Sequence, residues 1–125
     1  MKIMALVLIV DDSPTEQHVF CKALERQGYD TAVASDGEEA IAAALELRPE
    51  VIVMDVVMPG MNGFQATRRL SKDPTTADIP VVIVSSKGQE TDRIWGLRQG
   101  ASQYLVKPVD AGELVAAVEA AIANE

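Results

Sequence analysis

Short stretches of consecutive apolar residues, each followed by a segment that can form a helix, constrain this chain more than any other feature. Residues 5–10 (ALVLIV), 51–54 (VIVM) and 80–84 (PVVIV) carry no polar side chain. A strand buried on both faces is apolar at every position, not at alternate ones. Residues 31–34 read as a weaker second strand and 104–106 as a short fifth.

Helix signals fill the intervals. Ser13-Pro14-Thr15-Glu16 places serine at an N-cap, proline at the first helical position and glutamate at the capping-box position. Val19, Phe20, Ala23 and Leu24 form the expected inward stripe of that helix, and Gly28 its stop. Asp36 caps a second helix running to about Arg48, where Pro49 ends it. A Pro-Gly loop over 58–63 leads to a third helix over 64–72, and "DPTTADIP" is a turn-rich connection. A fourth helix spans 90–99, closed by Gly100. The last spans 110–123, with Leu114, Val115, Val118 and Ile122 inward. Strands alternating with helices predict an α/β fold: a doubly wound, five-stranded parallel sheet with five helices and right-handed crossovers. At 125 residues the expectation is a single domain over 1–125.

With 48% hydrophobic and 24% charged residues the chain reads as globular. Its net charge of −8 argues against nucleic acid, which needs a basic stripe, and suits a divalent cation or a basic protein surface. Cys21 is the single cysteine, which excludes an intrachain disulfide and fits a cytoplasmic location. Met1-Lys2 before an apolar run has the look of a signal peptide. The run stops at Asp11-Asp12 without a cleavage site and is too short to span a membrane, so no membrane insertion is expected.

In open α/β sheets, ligands bind beyond the carboxyl ends of the strands. The polar residues fall there: Asp11 and Asp12 after the first strand, Asp55 after the third, Ser85 after the fourth, Lys107 after the fifth. Three carboxylates at one rim need a counter-charge, which a lysine and an oxygen-preferring cation such as Mg²⁺ would supply. A metal on Asp12 and Asp55, with a lysine and a hydroxyl on other phosphoryl oxygens, suits attack by an aspartate on phosphorus. Asp55 is the expected nucleophile, and Asp11 and Asp12 the expected ligands.

The stretches "VDDS" (10–13), "MDVVMPGMNG" (54–63), Ser85 and "YLVKP" (104–108) together resemble a response-regulator receiver domain of the CheY type. The resemblance implies the 2-1-3-4-5 strand order of CheY and flavodoxin, and Asp55 as phospho-acceptor. It implies Asp11, Asp12, Asp55 and the Val57 backbone carbonyl as ligands of Mg²⁺ or Mn²⁺, and Ser85 and Lys107 as phosphate contacts. Ser85 with Tyr104 would be the switch pair, and Lys107–Pro108 a cis peptide. For Lys87, beside Ser85, two readings stay open: a surface charge, or a residue that affects phosphodonor access.

The implied partners are a CheA-like histidine kinase as phosphodonor and a downstream signalling or motor protein. The latter would meet the fourth helix, fifth strand and fifth helix, including Trp95 and Tyr104. The stretches "DDSPTEQ" and "KGQETDRIWGLRQGASQYLVKPVD" further resemble PilH-type regulators of type IV pilus twitching motility. No output domain follows the last helix, so signalling by protein contact is expected, or service as a phosphate sink. Catalysis would be limited to self-phosphorylation and self-dephosphorylation.

Two other classes fit the architecture less well. A flavin module needs a Ser/Thr/Gly-rich phosphate cradle after the first strand, where this chain has two carboxylates. An aspartate-based phosphohydrolase needs a second carboxylate two residues beyond its nucleophile, where this chain has Val57.

Overall fold

The structure, a computed structural model, describes residues 5–123; Met1-Lys2, weighed above, lies outside them. Ten elements alternate along the chain: β1 (Leu6–Val10), α1 (Pro14–Glu25), β2 (Asp30–Ala34), α2 (Gly37–Leu47), β3 (Val51–Met54), α3 (Gly63–Lys72), β4 (Val81–Ser85), α4 (Glu90–Arg98), β5 (Gln103–Val106) and α5 (Ala111–Ala123). The strands form one sheet in the order β2-β1-β3-β4-β5, and every pairing is parallel.

Because successive strand residues point to opposite faces, the apolar runs build two cores. Leu8, Val10, Ile52, Met54 and Ile83 pack with Ala40, Ala44, Ala66 and Leu70, which belong to α2 and α3. Val7, Ile9, Val51, Val53, Val82 and Val84 pack with Phe20 and Leu24 of α1 and Leu114 and Val118 of α5. This two-sided burial is why the strands lack the polar alternation of a half-exposed sheet.

Some details differ from the sequence expectation. Val19 is 51% exposed and outside the inward stripe. α1 buries Phe20, Ala23 and Leu24 only, and a residue one step before Phe20 is turned about 100° away from it. On α5, Val115 and Ile122 are half-buried, while Ala117 and Ala121 join Leu114 and Val118 in full burial. These small side chains let the helix lie close to the sheet. α2 ends at Leu47, and Arg48 caps it in the left-handed region with φ 51°, because the following proline disfavours right-handed helix at this position. Among the described residues no helix is long and apolar enough to cross a membrane.

Candidate functional site

Strand order reverses direction between β1 and β3, so a crevice opens beyond their carboxyl ends. Register then sets the chemistry. Val10 pairs with Met54, which makes Asp11 and Asp55 the next residues out on neighbouring strands. Their backbones stay tied to the sheet: the Asp55 N–H donates to the Val10 carbonyl at 2.9 Å and the Asp11 N–H to the Ala34 carbonyl at 3.1 Å. Lys107 arrives from the far side of the sheet, its N–H donating to the Ser85 carbonyl at 2.8 Å. The Lys107–Pro108 peptide is cis.

Asp11, Asp12 and Asp55 each offer an oxygen within 4.8 Å of the others. Asp11 and Asp55 are buried, and Asp12 is exposed to solvent. The Lys107 ammonium lies 3.2 Å from Asp11 Oδ2 and 3.5 Å from Asp55 Oδ1, a contact across 96 residues of sequence for the first of these. Burial, and next the Asp11 charge, push the Asp55 carboxyl above its ordinary range, against the opposing pull of Lys107. For Lys107, burial alone would lower its pKa. Asp55 and Asp11, helped by hydrogen bonds it donates to Glu16 and Asp11, outweigh burial and hold it above its usual value.

One ammonium cannot balance this many carboxylates. The donors are hard oxygens from two strand ends, the set an oxygen-seeking divalent cation prefers over soft-ligand metals. The residues present therefore fit such an ion, with Asp11, Asp12 and Asp55 as the side chains that would hold it.

A second group lines the β4–β5 side of the crevice. Ser85 is fully buried, and its Oγ accepts the Lys87 N–H at 3.1 Å. Tyr104 donates its hydroxyl to the Lys87 carbonyl at 2.6 Å. Its ring stacks on Phe64, with centroids 6.5 Å apart. The ring is thus turned inward, and Gly96 leaves the space: a Cβ there would come within 2.8 Å of Tyr104 Cδ2. Burial raises the Tyr104 pKa, with the Ser85 hydroxyl opposing. The Lys87 side chain is exposed, so this residue joins Ser85 and Tyr104 through its backbone.

Several participants escaped the sequence reading. Glu16 was expected to complete a capping box. Its N–H does donate to Ser13 Oγ at 3.3 Å, but the Ser13 N–H donates to Asp11 Oδ1 at 2.9 Å, and the Glu16 carboxylate pairs with Lys107 at 3.2 Å. The charged ammonium is the stronger partner for it. Gln17 anchors the β1 end by donating to the Asp11 carbonyl at 2.6 Å. Gly63 lies so close to the Asp55 carbonyl that a Cβ would sit 1.9 Å from it. The repeated glycines of "MPGMNG" were the only sequence signal for that approach.

Residues 7–119 match the response regulator receiver domain profile. The chain belongs to the response regulator receiver family. Receiver relatives include protein PilH of Pseudomonas aeruginosa, 52% identical over 97% of this chain and 100% of PilH. The DNA-binding dual master transcriptional regulator RpaA of Synechocystis is 41% identical over 94% of this chain, which spans only 48% of RpaA. Among solved receivers, chemotaxis response regulator CheY4 of Vibrio cholerae superposes with a TM-score of 0.89 at 31% identity, covering 95% of this chain and 99% of CheY4. The response regulator domain of Thermotoga maritima CheB gives 0.85 at 32% identity, over 97% and 98% of the two chains.

Proposed function

We propose that this receiver is a two-component response regulator in which Asp55 accepts a phosphoryl group from a histidine kinase in a Mg²⁺-dependent reaction. The observation that supports this most is the Asp55 carboxylate itself, with Asp11 and Asp12 beside it and the Lys107 ammonium at 3.5 Å. An Asp55 oxygen bonds to phosphorus while the bond from phosphorus to the donor breaks, and the donor (a kinase imidazole, or acetate from acetyl phosphate) leaves with the electron pair. The transferring group carries its charge on three oxygens. In this reading Lys107 meets one and the Ser85 hydroxyl another. A cation on Asp11, Asp12, Asp55 and the Val57 carbonyl, when bound, neutralises phosphoryl charge.

Position 57 carries an exposed valine in place of a second acid/base carboxylate. Turnover therefore stays confined to the chain's own aspartyl phosphate, and p-nitrophenyl phosphate should not be hydrolysed. The output surface is the face of α4, β5 and α5. There Ile94, Trp95 and Val106 are 41%, 50% and 44% exposed, close to the inward Tyr104. Lys87, whose backbone carbonyl receives the Tyr104 hydroxyl, affects donor access from the crevice rim.

The match along the whole of PilH supports signalling by protein contact. It also supports a place in type IV pilus twitching or chemotaxis-like signalling, with a CheA-like kinase as donor. The test is acetyl phosphate with Mg²⁺ and intact-mass detection: one phosphoryl group on the wild type and none on Asp55→Asn. Undiminished labelling of the Asn variant would sink the assignment.

A further inference from the structure

The Lys107 ammonium is shared three ways. It lies 3.2 Å from Asp11 Oδ2, 3.2 Å from Glu16 Oε1 and 3.5 Å from Asp55 Oδ1. Glu16 sits on the first turn of α1 and pairs with Lys107, while Asp11 Oδ1 accepts the Ser13 N–H that a capping-box glutamate would take. Asp11 is thus fully engaged, and Glu16 is free to pair across the crevice mouth. Its side chain is 36% exposed, against 10% for Asp55, so its hold on the lysine lies on the solvent side of the nucleophile.

From this arrangement we propose that Glu16 is a positioning residue that restrains Lys107 at the rim and so slows its engagement with the phosphoryl group arriving on Asp55. The proposal rests on the phospho-acceptor reading given above. When an Asp55 oxygen bonds to the phosphorus of acetyl phosphate and acetate departs with the electron pair, a singly charged carboxylate becomes a doubly charged acyl phosphate. Lys107 must then leave one or both of its other partners to follow that charge. Glu16 is the partner that competes without belonging to the reacting cluster. A partly solvated ion pair at a rim is worth little, so the restraint is a modest one that tunes a rate.

The test compares wild type, Glu16→Gln, Lys107→Met and the double variant. Neutralising Glu16 should speed uptake from acetyl phosphate about two- to fivefold, and that gain should vanish when Lys107 is methionine. An equal gain in the Lys107→Met background would show that Glu16 merely repels the anionic donor, and would overturn the proposal. So would an unchanged or slower Glu16→Gln variant. A second readout needs neither donor nor metal: the Lys107 ¹³Cε signal in metal-free protein should move on Glu16→Gln and return toward its original position in Glu16→Asp. An unmoved signal refutes the restraint even if no uptake can be followed. Failure of the wild type to take up label would instead count against the phospho-acceptor reading, and the two outcomes are read separately.

Discussion

Replacing Asp55 by asparagine should make the metal-free protein more stable, although it removes the proposed reactive group. Asp11, Asp12 and Asp55 place oxygens within 4.8 Å of one another. At an effective dielectric of about 20, each pair at that spacing repels by about 3.5 kcal/mol. Lys107 lies 3.5 Å from Asp55 and returns about 4.7 kcal/mol on the same basis. Asp12 is exposed, so water screens its share to about half. The charges then leave a net cost on Asp55 of roughly 0.5–2 kcal/mol, and burial adds to it in the same direction. The expected gain from Asp55→Asn is about 1–2 kcal/mol, which raises Tm by about 4–8 °C in a chain of this size.

The pH dependence has a definite sign. Because the folded pKa of Asp55 is raised, the penalty is absent below the unfolded carboxylate value of about 3.9. It grows as pH rises toward the folded value and is complete above it. The advantage of the asparagine variant should therefore be greatest above the folded Asp55 value and shrink on acidification. Thermal unfolding followed by circular dichroism in EDTA, at several pH values, measures both. A wild type more stable than the variant at neutral pH, or an advantage that grows with acid, would refute the electrostatic account.

Lys107→Met should destabilise the metal-free protein by about 2 kcal/mol in urea unfolding at neutral pH, since buried carboxylates lose the one close ammonium they have among the described residues. Because the folded Lys107 pKa is raised, its contribution is complete below the unfolded value of about 10.4. It disappears as pH rises through the folded value, where the two proteins should converge. Mg²⁺ at about 100 times its Kd should stabilise the wild type by about 2.7 kcal/mol, and Asp12→Asn should remove most of that gain; equal shifts in both proteins would exclude the carboxylate cluster as the binding site. Gly63→Ala forces a methyl group onto the Asp55 backbone carbonyl, with an expected cost of about 1–3 kcal/mol in chemical denaturation and slower phosphoryl uptake.

Much of the site was legible in the order of residues because the fold is written in contiguous segments. A run such as LVLIV, too short for a core helix and rich in β-branched residues, reads as a doubly covered strand, and Ser13-Pro14 reads as the start of the helix behind it. In a parallel α/β sheet, all strands end on one side. Asp11, Asp55, Ser85 and Lys107 could therefore be assigned to one rim before any distance was known.

Side-chain partnership is a different matter. Nothing local distinguishes a capping-box glutamate from one that turns to a lysine, and Glu16 does the latter where Asp11 occupies the Ser13 N–H and Lys107 offers a charged partner. Likewise Val19 looks like core in a helical count, but the part of α1 that meets the sheet is narrower than its apolar residues suggest. The sequence by itself determined the strands, the helix starts and which residues carry charge to the strand ends, because those follow from local periodicity and capping. Only the tertiary structure decided how one ammonium is divided among Asp11, Glu16 and Asp55. It alone turned Tyr104 inward against Gly96, since both outcomes depend on competition among groups far apart in the chain.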